Sequence, residues 1–230
     1  MSEDRSNQSG KSWTRHLVYR KPSWRTTWKL RLSLLLAIVV LIPATHRWWA
    51  PAIAGGLICT ENTPPSDALL LENFDPDYLV FERAAALQKA GTATTAFVPV
   101  QKDGRTGEPN MISAGVANLM AKTSWLQSME FIPIREEEPI SLNAARQIRD
   151  VLVSKNVKSI VVVTPGFRSR RSWLVYDSVL GPAGIRVGCA PILGTKKKEN
   201  WTATWHGIQD VNEQFIKLQY YQLWVLRNIR

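Results

Sequence analysis

An apolar run from Leu32 to Ile42, with Trp28 ahead of it and the pair Trp48-Trp49 behind it, splits this chain into a short basic tail and a long remainder. From Trp28 to Trp49 there are 22 residues, which at about 1.5 Å each reach across the roughly 30 Å hydrocarbon core of a bilayer. Lys29, Arg31 and Arg47 stand near the two ends, where long side chains reach the headgroups while their stems stay in lipid. Indole rings at both ends match the aromatic belts of the membrane interfaces. A buried soluble helix is the competing reading, because the strictly uncharged stretch from Leu32 to Thr45 is 14 residues long and contains Pro43. Overall length and the flanking tryptophans favour a transmembrane helix over residues 28–49.

Charge orients that helix. The tail and the start of the span carry eight basic residues against Glu3 and Asp4, so the positive-inside rule keeps residues 1–27 in the cytoplasm and places the rest beyond the inner membrane. A removable leader is disfavoured by the long basic region and by the absence of a small-residue cleavage site after Ile42. The formal net charge of +10 raises the question of nucleic acid. Nine of the 29 basic and two of the 19 acidic residues lie at or before Arg47, leaving 20 against 17 beyond it. Most of the excess therefore belongs beside the membrane, and the expected partner is the lipid bilayer rather than nucleic acid. Cys59 and Cys189 are too few for a disulfide framework. The reading is two unpaired thiols, with one pair in an oxidising compartment as the alternative.

After a linker over residues 50–65, residues 66–230 alternate short apolar runs with segments of helical period. The runs are Ala68 to Glu72, Thr95 to Val100, Phe131 to Ile134, Ser159 to Thr164 and Ile185 to Ile192. Helices are expected over Pro76 to Ala90, Met111 to Ser128, Ser141 to Lys155, Ser169 to Leu180 and Gly207 to Arg227. Val-rich runs without polar alternation belong to strands covered on both faces. The fold class is α/β: a Rossmann-like three-layer domain with a mainly parallel sheet of about five strands, preceded by one transmembrane helix. Asp75 before Pro76 is the expected start of the first domain helix and Gly91 follows its end. Ser141 is the expected cap of a later helix, with Asn156 as its left-handed stop.

In such a sheet, ligands bind beyond the carboxyl ends of the strands. The most informative junction is Thr164-Pro165-Gly166-Phe167-Arg168-Ser169-Arg170-Arg171. Three arginines in a first helical turn oppose the helix dipole, so negative charge has to compensate them. Glu136, Glu137 and Glu138 could do so internally; an anionic ligand, phosphate above all, could do so from outside. Arg83 shares a stripe with Leu79, Val80 and Leu87, and calls either for Asp67 or Glu72 as partner or for a place in the crevice. His16, His46 and His206 give no metal site and no catalytic triad, and no cofactor is indicated. After the first strand, Glu72-Asn73-Phe74 stands where nucleotide folds carry glycines.

Pro64 to Leu71, Arg83, Glu138-Pro139-Ile140-Ser141-Leu142-Asn143-Ala144, and Val162-Val163-Thr164 with Phe167 to Arg171 together resemble the YdcF/SanA/ElyC-like family, a domain of unknown function in bacterial envelope and cytoplasmic proteins. The resemblance spans nearly all of residues 66–230, with an anchoring helix as in SanA and ElyC. This chain departs from the pattern in its glycines, where Glu72-Asn73 and Val100-Gln101 stand, and in Arg168, where the family carries histidine. The resemblance implies an envelope role linked to peptidoglycan, surface polysaccharide or their polyprenyl-phosphate carrier. The expected function is binding of a phosphate-bearing envelope precursor, with Arg83, Ser141, Asn143, Thr164, Arg168, Arg170 and Arg171 as ligand contacts. Were there turnover, Glu138 or Glu72 would be the base. A silent scaffold for other envelope proteins is the alternative, favoured by the missing glycines and histidine.

Overall fold

The computed structural model describes residues 27–194 and 197–228; the expected basic tail, apart from Thr27, lies outside them. The chain forms two compact units, Met1–His46 and Arg47–Arg230. In the first, the described residues from Trp28 onward are helical and almost all exposed. They belong to α1 (Trp28–Leu57), which is long and apolar enough to cross a membrane. The helix does not end at Trp49. It continues for two further turns in the second unit, where Ala50, Ala54 and Leu57 are buried against Trp201, Val211 and Leu218. Much of the expected linker is therefore packed helix, because small residues at 50 and 54 let neighbours approach closely.

The second unit holds a five-stranded sheet in the order β3-β2-β1-β4-β5, parallel throughout. Its strands are β1 (Ala68–Leu71), β2 (Thr95–Gln101), β3 (Met129–Ile134), β4 (Ser159–Pro165) and β5 (Arg186–Ile192). The helices are α2 (Tyr78–Lys89), α3 (Met111–Thr123), α4 (Ile140–Ser154), α5 (Gly166–Leu180) and α6 (Trp205–Tyr220). Alternate residues of the central strands feed opposite faces, as strand geometry requires. Leu70 and Val162 pack with Ile148, Leu152 and Val175 of α4 and α5. Leu69, Leu71, Val161 and Val163 pack with Phe81, Ala84 and Ala117 of α2 and α3. This is the three-layer α/β arrangement expected from the sequence.

Several boundaries differ from the expected ones for local reasons. Asp77, not Asp75, caps α2 by accepting from the Leu79 N–H at 3.0 Å, which frees Asp75 for another partner. Ser141 lies inside the first turn of α4, after Pro139, and caps nothing. Helix α5 begins three residues early, at Gly166, with no loop after β4. A Cβ at Gly166 would collide with the Leu193 side chain and come within 3.1 Å of the Ile192 carbonyl oxygen, so only glycine lets α5 start so close to the end of β5. Asn156 and Gly91 take left-handed conformations at the ends of their helices, as expected. Cys59 and Cys189 are joined in a disulfide, which corrects the reading of two free thiols. The pairing follows from a short antiparallel contact: Asn62 bridges Cys189 through both backbone hydrogen bonds, at 2.8 Å each, and so brings the segment after α1 alongside β5.

Candidate functional site

The strand order reverses between β1 and β4: β2 and β3 extend one way from β1, β5 the other way from β4. At such a switch point the loops diverge and leave a crevice beyond the carboxyl ends. Glu72 and Thr164 stand at that point. The Glu72 N–H donates to the Val163 carbonyl at 2.9 Å, continuing the ladder one residue past β1. Its side chain turns inward and is 1% exposed. The Thr164 hydroxyl and the Ser172 hydroxyl both donate to Glu72 Oε2, the second at 2.6 Å. Two buried hydroxyls thus fix one carboxylate oxygen and leave the other as the one that can face a ligand.

Beyond Glu72 lies a cleft of ≈ 410 Å³ lined by Glu138 and Ser141 from the start of α4, Arg168 and Arg171 from α5, and Glu213 and Lys217 from α6, with Phe74 and Tyr221 among its apolar walls. Arg171 is its most constrained member. It is 7% exposed, and donates to Ser141 Oγ at 2.7 Å and to Gln214 Oε1 at 3.4 Å. Its guanidinium lies over the Tyr221 ring at 5.4 Å. Its buried Nε has no acceptor, and among the described residues it makes no ion pair. Tyr221 also accepts from the Ser141 N–H at 3.2 Å, satisfying an otherwise orphan donor of α4. Arg168 pairs with Asp75 at 3.3 Å, and Lys217 with Glu213 at 2.5 Å. The Lys217 hydrogen bond, helped by the nearby positive charges of Arg168 and Arg171, holds the Glu213 carboxyl below its usual range. Behind the cleft, burial pushes the Tyr176 phenol well above its ordinary range, and the neighbouring Glu72 carboxylate adds to the effect.

The structure brings together Glu72, Glu138, Ser141, Thr164, Arg168 and Arg171, and separates three other expected contacts. Arg170 faces away from the cleft, its guanidinium 5.4 Å from the Trp173 ring centroid. Asn143 donates to the Glu137 and Glu138 carbonyls, at 3.1 and 2.9 Å, and lines a different hollow with Lys102 and Arg135. Arg83 is partly exposed and paired with Glu61, so neither Asp67 nor Glu72 is its partner. The buried face of α2 is centred on Val80, Ala84 and Leu87; Leu79 and Arg83 flank it. Asp67 instead accepts from the Lys158 and Ser159 N–H groups, at 2.7 and 2.9 Å. The internal network, one of the two alternatives for Glu136 to Glu138, does not form as a unit: Glu137 pairs with Arg135, while Asp75 serves Arg168.

Sequence reasoning missed Ser172, Gln214, Glu213, Lys217 and Tyr221. Ser172 could have been found, since it follows the arginines on the same turn. The others come from α6 and the turn after it, forty or more residues away, and nothing in the local pattern points from them to the switch point.

Fold and site define a parallel α/β domain with a switch-point cleft, joined to a helix of membrane-spanning length. No family model matches the chain, and no curated protein matches it. Among solved structures, a protein from the universal stress protein family from Burkholderia pseudomallei is similar over 56% of this chain and 97% of its own, at 13% identity and a TM-score of 0.33.

Proposed function

We propose that this chain is a membrane-anchored member of the cell envelope, its N-terminus cytoplasmic and its α/β domain beyond the inner membrane, and that the switch-point cleft binds a phosphate-bearing precursor of peptidoglycan or surface polysaccharide. The observation that carries the reading is Arg171: a buried guanidinium with spare donors, neutral hydrogen-bond partners and no ion pair among the described residues. A buried guanidinium with no carboxylate in direct contact keeps donors unused, and a phosphate supplies both the charge and the acceptors. The rest of the lining refines the ligand. Glu72, Asp75, Glu138 and Glu213 outnumber Arg168, Arg171 and Lys217, so this is no general anion basin. Carboxylates beside one buried guanidinium suit a molecule with hydroxyl donors as well as phosphate, as a glycosyl phosphate has. Glu72, held through one oxygen, and Glu138 are placed for general-base work if such a bond is cleaved or formed.

The disulfide supports the extracytoplasmic side, since such bonds persist in oxidising compartments. The resemblance to the YdcF/SanA/ElyC-like family supports the envelope role. Titration of the full chain in vesicles with N-acetylglucosamine 1-phosphate tests the ligand: saturable binding is expected, and equal binding by a folded Arg171→Ala variant would overturn it. An alkaline phosphatase fusion after Arg230 tests topology and should be active.

The scaffold reading has one observation in its favour. Helix α3 leaves Met111, Ile112 and Leu119 exposed, with Trp125 just beyond, an apolar face of the kind protein partners cover.

A further inference from the structure

Asn73, the residue after Glu72, is 9% exposed, and its side-chain Oδ1 is enclosed without a hydrogen-bond partner. Its Nδ2 donates to the Pro99 carbonyl at 3.5 Å, beyond the usual range for such a bond. Among the described residues, two other buried side-chain atoms share that condition: Arg171 Nε in the cleft and the Tyr176 hydroxyl behind it. Asn73 belongs to neither place. It lines a separate hollow of ≈ 230 Å³ beyond the ends of β1, β2 and β3, together with Phe74, Pro99, Gln101, Ser113 and Glu136. Phe74 lines the cleft as well, so the two spaces adjoin at that residue.

The chemistry of this hollow is the reverse of the cleft's. No basic side chain lines it. The start of α3, where Ser113 lies, is already capped: Asn110 Oδ1 accepts from the Ile112 and Ser113 N–H groups at 3.0 and 3.2 Å. An anion therefore finds neither a cation nor those helix donors there. What the hollow offers is acceptors: Asn73 Oδ1, the side-chain oxygens of Gln101 and Ser113, and the Glu136 carboxylate, which Arg135 passes over in favour of Glu137. Phe74 and Pro99 add flat apolar surface, against which the C–H face of a ring can lie. A buried acceptor left empty is costly. The χ2 torsion of asparagine is soft, so Oδ1 can meet a donor in the hollow at the expense of one long hydrogen bond. We propose that this hollow is a second binding site, for an uncharged ring carrying hydroxyl or amide N–H donors, as a sugar does. The proposal goes beyond the phosphate reading and does not need it, because the two linings share Phe74 and no polar side chain.

The test titrates the full chain in detergent micelles with two probes: N-acetylglucosamine, followed by proton saturation-transfer NMR, and inorganic phosphate, followed by phosphorus line broadening. Saturable binding of N-acetylglucosamine is expected, weakened several-fold by Asn73→Leu and by Glu136→Ala, and unchanged by Arg171→Ala. Asn73→Leu roughly keeps the side-chain volume and removes an unsatisfied acceptor, so the variant should melt no lower than the native chain, whereas loss of a structural asparagine would lower the midpoint. Should Asn73→Leu fail to fold, the exposed Glu136→Ala decides alone. No saturable binding of the sugar, or binding that survives the substitutions at both positions, overturns the proposal. Equal loss of sugar binding in Arg171→Ala puts the ring in the cleft and overturns it too. Phosphate should broaden equally with the native chain and with Asn73→Leu; if it binds neither while the sugar does, the phosphate reading fails and this one stands.

Discussion

Where β4 passes into α5, Arg171 is buried against Ser141 and Gln214 beside a carboxylate held by two hydroxyls. Where β3 passes into α4, Arg135 and Glu137 pair with each other at the surface, and Asn143 ties down the carbonyls of the connecting loop. Both junctions lie at the carboxyl edge of the sheet, with β2 and β1 between them, and draw on the same residue types. One lies at the topological switch, where polar groups are buried and incompletely satisfied; the other lies toward the sheet edge, where polar groups satisfy one another or the backbone. Burial with residual hydrogen-bonding capacity, not residue identity, separates a binding candidate from a structural one.

The contrast can be tested from its largest consequence downward. Cys59→Ser with Cys189→Ser removes the tie to β5 on the switch-point side, and should lower unfolding stability by about 2–4 kcal/mol in urea titrations under oxidising conditions. Glu72→Ala strands two buried hydroxyls and should cost about 2–3 kcal/mol by the same measurement, whereas Glu137→Ala at the other junction should stay within roughly 0.5 kcal/mol. Arg171→Ala should weaken binding of N-acetylglucosamine 1-phosphate about 10- to 100-fold by calorimetry, the value of one charge-assisted hydrogen bond or two; Arg170→Ala should leave it unchanged. Asn143→Ala should cost about 1 kcal/mol of stability and nothing in affinity. A loss of affinity there would erase the distinction between the junctions.

The smallest effect is a pH dependence at the opposite end of the sheet. The Lys158 N–H is the chief donor that holds the Asp67 carboxyl below its ordinary 3.8. A carboxyl lowered by folding adds stability above its unfolded value and loses it as pH falls through the lowered folded one. The urea midpoint of the native chain should therefore fall more steeply below about pH 4 than that of Asp67→Asn, when the two are compared across the acid range.

The run Ser159 to Thr164 followed by Pro165-Gly166 was readable as the strand–helix junction of a ligand edge because apolar content and the turn residues are local. Glu72 was readable for the same reason, as the residue following an apolar run. Arg83 misled because a helical stripe assigned from a few apolar residues can be rotated by one position, enough to move a side chain from core to flank. The Cys59–Cys189 pair was not readable: its partners are 130 residues apart, and what joins them is a backbone bridge at Asn62 that no side-chain pattern announces. The α6 wall was hidden likewise, because Gln214 and Tyr221 earn their place only by packing against α4 and α5.

The covalent link between Cys59 and Cys189 encloses β1 through β4, and with them Glu72, Ser141, Arg168 and Arg171. A protease that nicks the exposed turn around Asp103 to Gly107 would cut the chain inside that ring and release nothing. Both fragments would stay fastened until a reductant arrived, so a domain facing hydrolytic surroundings could keep its cleft assembled after a break in its backbone.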